Sequence, residues 1–119
     1  MEKVLNRGDV VLVSFPFTDL TTTKVRPAVV ISNDSINTKE EDIILAFVSS
    51  VVPVQTKDTD FVIKESERYF QGTGLKGESV FRMAKIVTLS RRLVRRKIGE
   101  VSSQTKTELD KRLRRALAL

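Results

Sequence analysis

The run Val10-Val11-Leu12-Val13-Ser14-Phe15, bounded by Gly8-Asp9 and Pro16, constrains the fold most. A short apolar stretch between turn residues reads as a strand buried on both faces. Pro16 ends it, because proline donates nothing to a ladder. A polar loop, Thr18 to Lys24, follows and is long for a hairpin. Ala28 to Ile31 then reads as a second strand, with Pro27 at its first position, where a missing N–H is tolerated. The chain thus opens with two buried strands joined by a polar loop. The pair Arg26-Pro27 stands at the entry of the second. An arginine at the mouth of a loop can meet a phosphate there, or simply pair with Asp9 or Asp19.

The rest of the chain continues in short segments. Asn33 to Asn37 has turn chemistry. Ile43 to Val48 reads as a third strand ending at Ser49-Ser50, and Asp60 to Ile63 as a fourth. Glu65 to Gly77 holds three of the five glycines and reads as a second loop. Ser79 to Met83 and Ile86 to Leu89 read as two further strands, Ser90 to Leu93 as one helical turn, and Lys97 to Val101 as a last short strand. A helix is expected from about Ser103 to Leu117. Ser102 or Ser103 can cap it, and Thr105 with Glu108 spells a competing capping box. Leu109, Leu113, Ala116 and Leu117 form one apolar stripe. Many short strands and one terminal helix indicate a mainly β chain: a small antiparallel barrel carrying a helix, as one domain over residues 1–119.

Composition narrows the chemistry. The 119 residues include no cysteine and no histidine. Disulfides, thiolate nucleophiles and Cys-based zinc sites are excluded, and so are the commonest general base and metal ligand. Chemistry must run on Arg, Lys, Asp, Glu, Ser, Thr or the single Tyr69. No run approaches the roughly 18 apolar residues of a membrane span, so a cytoplasmic protein without membrane contact is expected. Residues 1–84 hold 10 basic and 12 acidic groups, and residues 85–119 hold 11 and 3. That asymmetry suits a polyanion or an acidic protein partner, and equally a solvated basic helix.

Three blocks resemble the MazF/PemK toxin endoribonucleases: Arg7 to Val13 running into Arg26-Pro27-Ala28-Val29-Val30; Leu45 to Ser50; and Ser79 to Arg82 with Leu89 to Leu93. The resemblance covers nearly the whole chain. It implies an SH3-like barrel with a C-terminal helix, a homodimer, metal-independent cleavage of single-stranded RNA without a cofactor, and inhibition by a cognate antitoxin. Arg26 matches the family's catalytic arginine. Ser49 matches a hydroxyl residue that is usually threonine. Arg82 matches an arginine that some members use in acid/base work or substrate binding. Those members carry an aspartate two positions later, where this chain has Ala84.

RNA cleaved through its own 2′-hydroxyl needs charge stabilisation at the phosphorus and two proton transfers. A planar guanidinium at Arg26 suits the first task, because it donates two hydrogen bonds to one phosphate. Ser49 adds a third. Arginine is a poor proton donor at neutral pH, so Arg26 and Ser49 read as electrostatic stabilisers first, with Glu78 and Asp19 as candidate bases. RNA-binding candidates are Phe17, Asp19, Thr21, Lys24, Ser50, Tyr69 and Glu78, and Phe17 and Tyr69 are placed to stack bases. The cluster Arg91-Arg92 with Arg95-Arg96-Lys97 binds phosphates or is merely solvated. Two alternatives compete with the nuclease: a CcdB-like gyrase-binding toxin on the same barrel, and a catalytically silent nucleic-acid- or protein-binding barrel.

Overall fold

The computed structural model describes residues 4–15 and 24–119. The elements are β1 Asp9–Phe15, β2 Lys24–Val30, α1 Asp34–Lys39, β3 Asp42–Ser49, β4 Asp60–Ile63, β5 Ser79–Ser90, β6 Val94–Glu100 and α2 Ser103–Leu117. The strands form one antiparallel sheet in the order β4-β5-β3-β2-β1-β6. Alternation splits β1 between two cores. Val11, Val13 and Phe15 pack with Ala28, Val30, Ile43 and Leu45. Val10 packs with Val29, Ala46, Val48, Phe81 and Met83, and α2 covers this side with Leu109. The opening run is therefore buried on both faces, as its composition requires. Each fully buried aliphatic or phenyl side chain contributes roughly 1.5–3 kcal/mol.

The first block is structural. Arg7 joins three elements: its backbone N–H donates to Asp34 at 2.7 Å, its Nε to the Ile31 carbonyl at 3.1 Å, and its Nη2 to Asp110 of α2 at 2.6 Å. Gly8 adopts φ +97°, and a Cβ there would sit 2.8 Å from Lys106. Buried Asp9 accepts the Asn6 N–H at 2.8 Å and pairs with Lys97 of β6 at 3.2 Å.

Several elements depart from the sequence reading. β2 starts at Lys24, so Pro27 lies inside a strand with neighbours on both sides. It is accommodated because β3 pairs with β2 only over Ala28–Val30, which leaves Lys24–Pro27 with an edge on that flank. Asn33 to Asn37 is not a turn but enters α1, which Asn33 caps by accepting the Ile36 N–H at 2.8 Å. The expected fifth and sixth strands are one strand, β5. Phe47 faces Arg82 and Ala46 faces Ile86, so Met83, Ala84 and Lys85 bulge without partners on β3. The last strand begins earlier than expected, at Val94.

The sheet is not closed into a full barrel: β4 and β6 are its two edges. A 3-10 turn at Gln71–Thr73 packs against β6 instead. Backbone meets backbone there, since a Cβ on Gly99 would lie 2.3 Å from the Gly72 carbonyl oxygen and one on Gly74 would lie 1.9 Å from that of Ile98. Gly99→Ala should push the turn away and destabilise the protein by about 1–3 kcal/mol. Denaturant melts check this.

α2 spans the expected residues, with Ser102 as its cap: Ser102 Oγ accepts the Thr105 N–H at 3.1 Å. Leu109 is buried and Leu113 half-buried, but Leu117 at the end of the stripe is half exposed. Glu108 does not complete a capping box. Its hydrogen bond from Arg112, at 2.7 Å, and then that from Lys111 hold its carboxyl below the ordinary carboxylate value. A lowered value in the folded chain stabilises at neutral pH and loses effect as acid protonates the group. Melting temperatures of wild type and Glu108→Gln should therefore differ at neutral pH and converge in acid.

Candidate active site

β2 and β3 part company beyond Ala28 and Phe47. β3 runs on along β5 to Ser49, while Lys24–Pro27 pair with β1 alone. Continuing the register by two residues brings Arg26 opposite Ser49 across the gap. Two cavities meet at this split. The larger, about 370 Å³, is lined by Arg26, Ser49, Ser50, Lys76, Ser79 and Arg96, with apolar walls from Val25, Val51, Leu75 and Ile98. The other, about 270 Å³, is lined by Phe15, Phe47, Arg26, Ser49, Arg82 and Lys85. Arg26, Pro27, Val48 and Ser49 line both.

The electrostatics are one-sided. Arg26, Lys76, Arg82, Lys85 and Arg96 reach the two cavities, and no carboxylate is among the described lining residues. Arg26 is exposed and makes no hydrogen bond or ion pair with a described residue. Asp9 pairs with Lys97 and not with Arg26, and Asp19 lies outside the described residues. Ser49 Oγ accepts the Val51 N–H at 3.1 Å. It thereby satisfies a backbone group at a strand end, and its hydroxyl proton makes no hydrogen bond with a described residue. Arg82 is half-buried. Among the described residues it pairs with Asp60, Nε to Oδ1 at 4.0 Å. Ala84 is exposed in the bulge.

The other sequence candidates are spread out. Ser50 lines the larger cavity. Glu78 is exposed between Gly77 and Ser79, which line that cavity, but Glu78 does not. Lys24 is exposed at the start of β2 and lines neither. Tyr69 stands elsewhere, in a groove with Phe61, Ile63 and Glu108 beside α2, and Arg68 lies 5.4 Å over its ring. Phe17, Asp19 and Thr21 lie outside the described residues.

The basic cluster divides by role. Arg91 donates to the Glu40 and Asn37 carbonyls, and Arg92 pairs with Glu41 at 3.1 Å, so both tie the chain to the end of α1. Arg95 reaches Ser14 at 3.4 Å and Lys97 holds Asp9. Arg96 alone of the five lines the cleft. Sequence reasoning did not single out Lys76 or Lys85. Lys85 is delivered by the bulge, and its only sequence signal was the broken alternation around Ala84.

A comparison with curated proteins finds no match. Solved structures do match in fold. An endoribonuclease in complex with its cognate antitoxin, from a mycobacterial species, superposes with a TM-score of 0.75 at 21% identity, over 97% of this chain and 96% of that one. A MazE–MazF complex from Deinococcus radiodurans gives 0.77 at 20% identity, over 98% and 99%. A second mycobacterial endoribonuclease gives 0.73 at 22% identity, over 98% and 94%. The model of the PemK-like, MazF-like toxins of type II toxin–antitoxin systems matches residues 6–117, and the chain belongs to that family.

Proposed function

We propose that this toxin is a metal-independent, sequence-selective endoribonuclease that cuts single-stranded RNA, mRNA included, in the cytoplasm. One observation carries the reading. Arg26 and Ser49 flank a split in the sheet that is lined by five cations and, among the described residues, no acid. A gyrase-binding surface has no need of such a phosphate-sized arrangement.

In this reading the scissile phosphate sits at the split. The Arg26 guanidinium donates two hydrogen bonds to its non-bridging oxygens, and Ser49 donates its free proton. The substrate's 2′-hydroxyl attacks phosphorus in line, and the 5′-oxygen leaves. The products are a 2′,3′-cyclic phosphate and a 5′-hydroxyl. The donors stabilise the extra charge of the transition state, which is where oxyanion-type sites gain most. The proton leaving the 2′-hydroxyl passes to water or to a carboxylate outside the two linings. Lys76 and Lys85 surround the leaving oxygen with ammonium protons.

The partners follow the same reading. Antitoxins sit on the similar toxins from mycobacteria and Deinococcus. A cognate antitoxin is proposed here too, acidic to match the basic C-terminal third. The working unit is proposed to be a homodimer, which light scattering would establish. The test of activity is incubation of long single-stranded RNA with purified, antitoxin-free protein in EDTA. Discrete fragments with 5′-hydroxyl ends are expected. Intact RNA together with blocked DNA supercoiling would favour the gyrase-binding alternative.

A further inference from the structure

We propose that Asp60 is a positioning residue for RNA cleavage, acting through Arg82. It would supply from β4 the carboxylate that position 84 lacks, and it rests on the nuclease reading above. Asp60 stands directly opposite Arg82 in the β4–β5 ladder. Its side chain is only 3% exposed, and its Oδ1 lies 4.0 Å from Arg82 Nε. Its Oδ2 accepts the Lys57 N–H at 3.1 Å, which fixes the carboxylate in the turn before β4. α2 holds the same residue from behind, where Arg112 Nε donates to the Asp60 carbonyl at 3.2 Å.

A buried carboxylate is costly unless a cation answers it. Arg112 bonds the backbone of Asp60, so Arg82 is the ion-pair partner of the Asp60 side chain among the described residues. The need is reciprocal. Arg82 Nε is buried and makes no hydrogen bond with a described residue. Arg82 is also the last residue of β5 in register with β3 before the bulge. Beyond it the ladder gives no support, and bulges beside active sites re-aim side chains. A long arginine at such a point needs an anchor for its guanidinium. Asp60 faces the Nε edge, which leaves both Nη groups for other acceptors, and Arg82 lines the cavity shared with Arg26 and Ser49. Asp60 itself lines neither cavity, so it reaches substrate only through Arg82.

The test measures kcat and KM on a short RNA containing the mapped cut site. The proteins are wild type, Asp60→Asn, Arg82→Ala and the double variant, with melts alongside. Asparagine keeps an acceptor for the Lys57 N–H and removes the charge. Asp60→Asn should lower kcat on the order of 10- to 100-fold, as a misplaced catalytic group does, with little change in KM. In the Arg82→Ala background the same change should have no further effect. Should Asp60→Asn fail to fold, Asp60→Glu keeps the charge but displaces the guanidinium, and the same kcat loss and the same non-additivity are expected. Wild-type kcat in the folded variant, or an equal loss in both backgrounds, would overturn the proposal alone. Absence of cleavage by wild type would instead sink the nuclease reading, and this inference with it.

Discussion

Arg26→Ala should cut RNA cleavage by at least about 10²- to 10³-fold while leaving the fold intact, the size of loss seen when one preorganised donor is removed from an oxyanion-type site. The side chain is exposed and bonds to no described residue, so truncation removes nothing that β2 depends on. Surface changes of that kind stay within about 0.5 kcal/mol, or roughly 2 °C in melting temperature for a chain of this size. Arg26→Lys keeps the charge but loses the planar fork, and its rate should fall between the two. Initial rates on long single-stranded RNA, with parallel thermal melts, check all three proteins. Full activity in the alanine variant would remove the residue on which the mechanism turns.

Phe81→Ala should destabilise the protein by about 3–5 kcal/mol, the range for deleting a buried phenyl ring. Phe81 is fully buried on β5, opposite Val48 of β3 and Phe61 of β4, with the Phe61 ring centroid 6.3 Å away. It sits where three strands meet, in the cluster that α2 covers with Leu109. Against a total stability of about 5–15 kcal/mol, that loss leaves a marginal fold. The melting temperature should drop by roughly 10–20 °C. Val54→Ala, in an exposed loop, should melt like wild type. A loss under about 1 kcal/mol for Phe81→Ala would mean that β5 is not packed as described.

How much was readable in the sequence depends on which interactions decide each element. β1 and α2 were legible because local signals suffice: an apolar run between breakers, and a periodic stripe behind a serine cap. Pro27 misled, because a proline inside a strand is acceptable only where the neighbouring strand has already left, and that is a fact about β3. The bulge at Met83–Lys85 also misled, because a break in alternation looks the same whether a strand ends or bends. The expected barrel does not close; the turn around Gly72–Gly74 packs backbone to backbone on Ile98 and Gly99 of β6 instead, a long-range contact that spacing does not encode.

The site divides in the same way. Nothing in the residues alone brings Arg26 to Ser49, 23 positions apart; the family resemblance named both, and both line the two cavities at the split. Arg82 joins them, with its carboxylate at Asp60 and not at position 84. Lys76, Lys85 and Arg96 join as well, from a loop, a bulge and an edge strand. Tyr69 does not, because its loop folds toward α2.

The most direct test of the central claim compares two short RNAs in EDTA. One is all-ribose and spans the mapped cut site. The other carries a single 2′-deoxyribose on the 5′ side of the scissile phosphate. Cleavage of the first to a 2′,3′-cyclic phosphate and a 5′-hydroxyl, with the second intact, is the predicted result. Equal cleavage of both would mean that the nucleophile is not the RNA's own hydroxyl, and would contradict the mechanism built on Arg26 and Ser49.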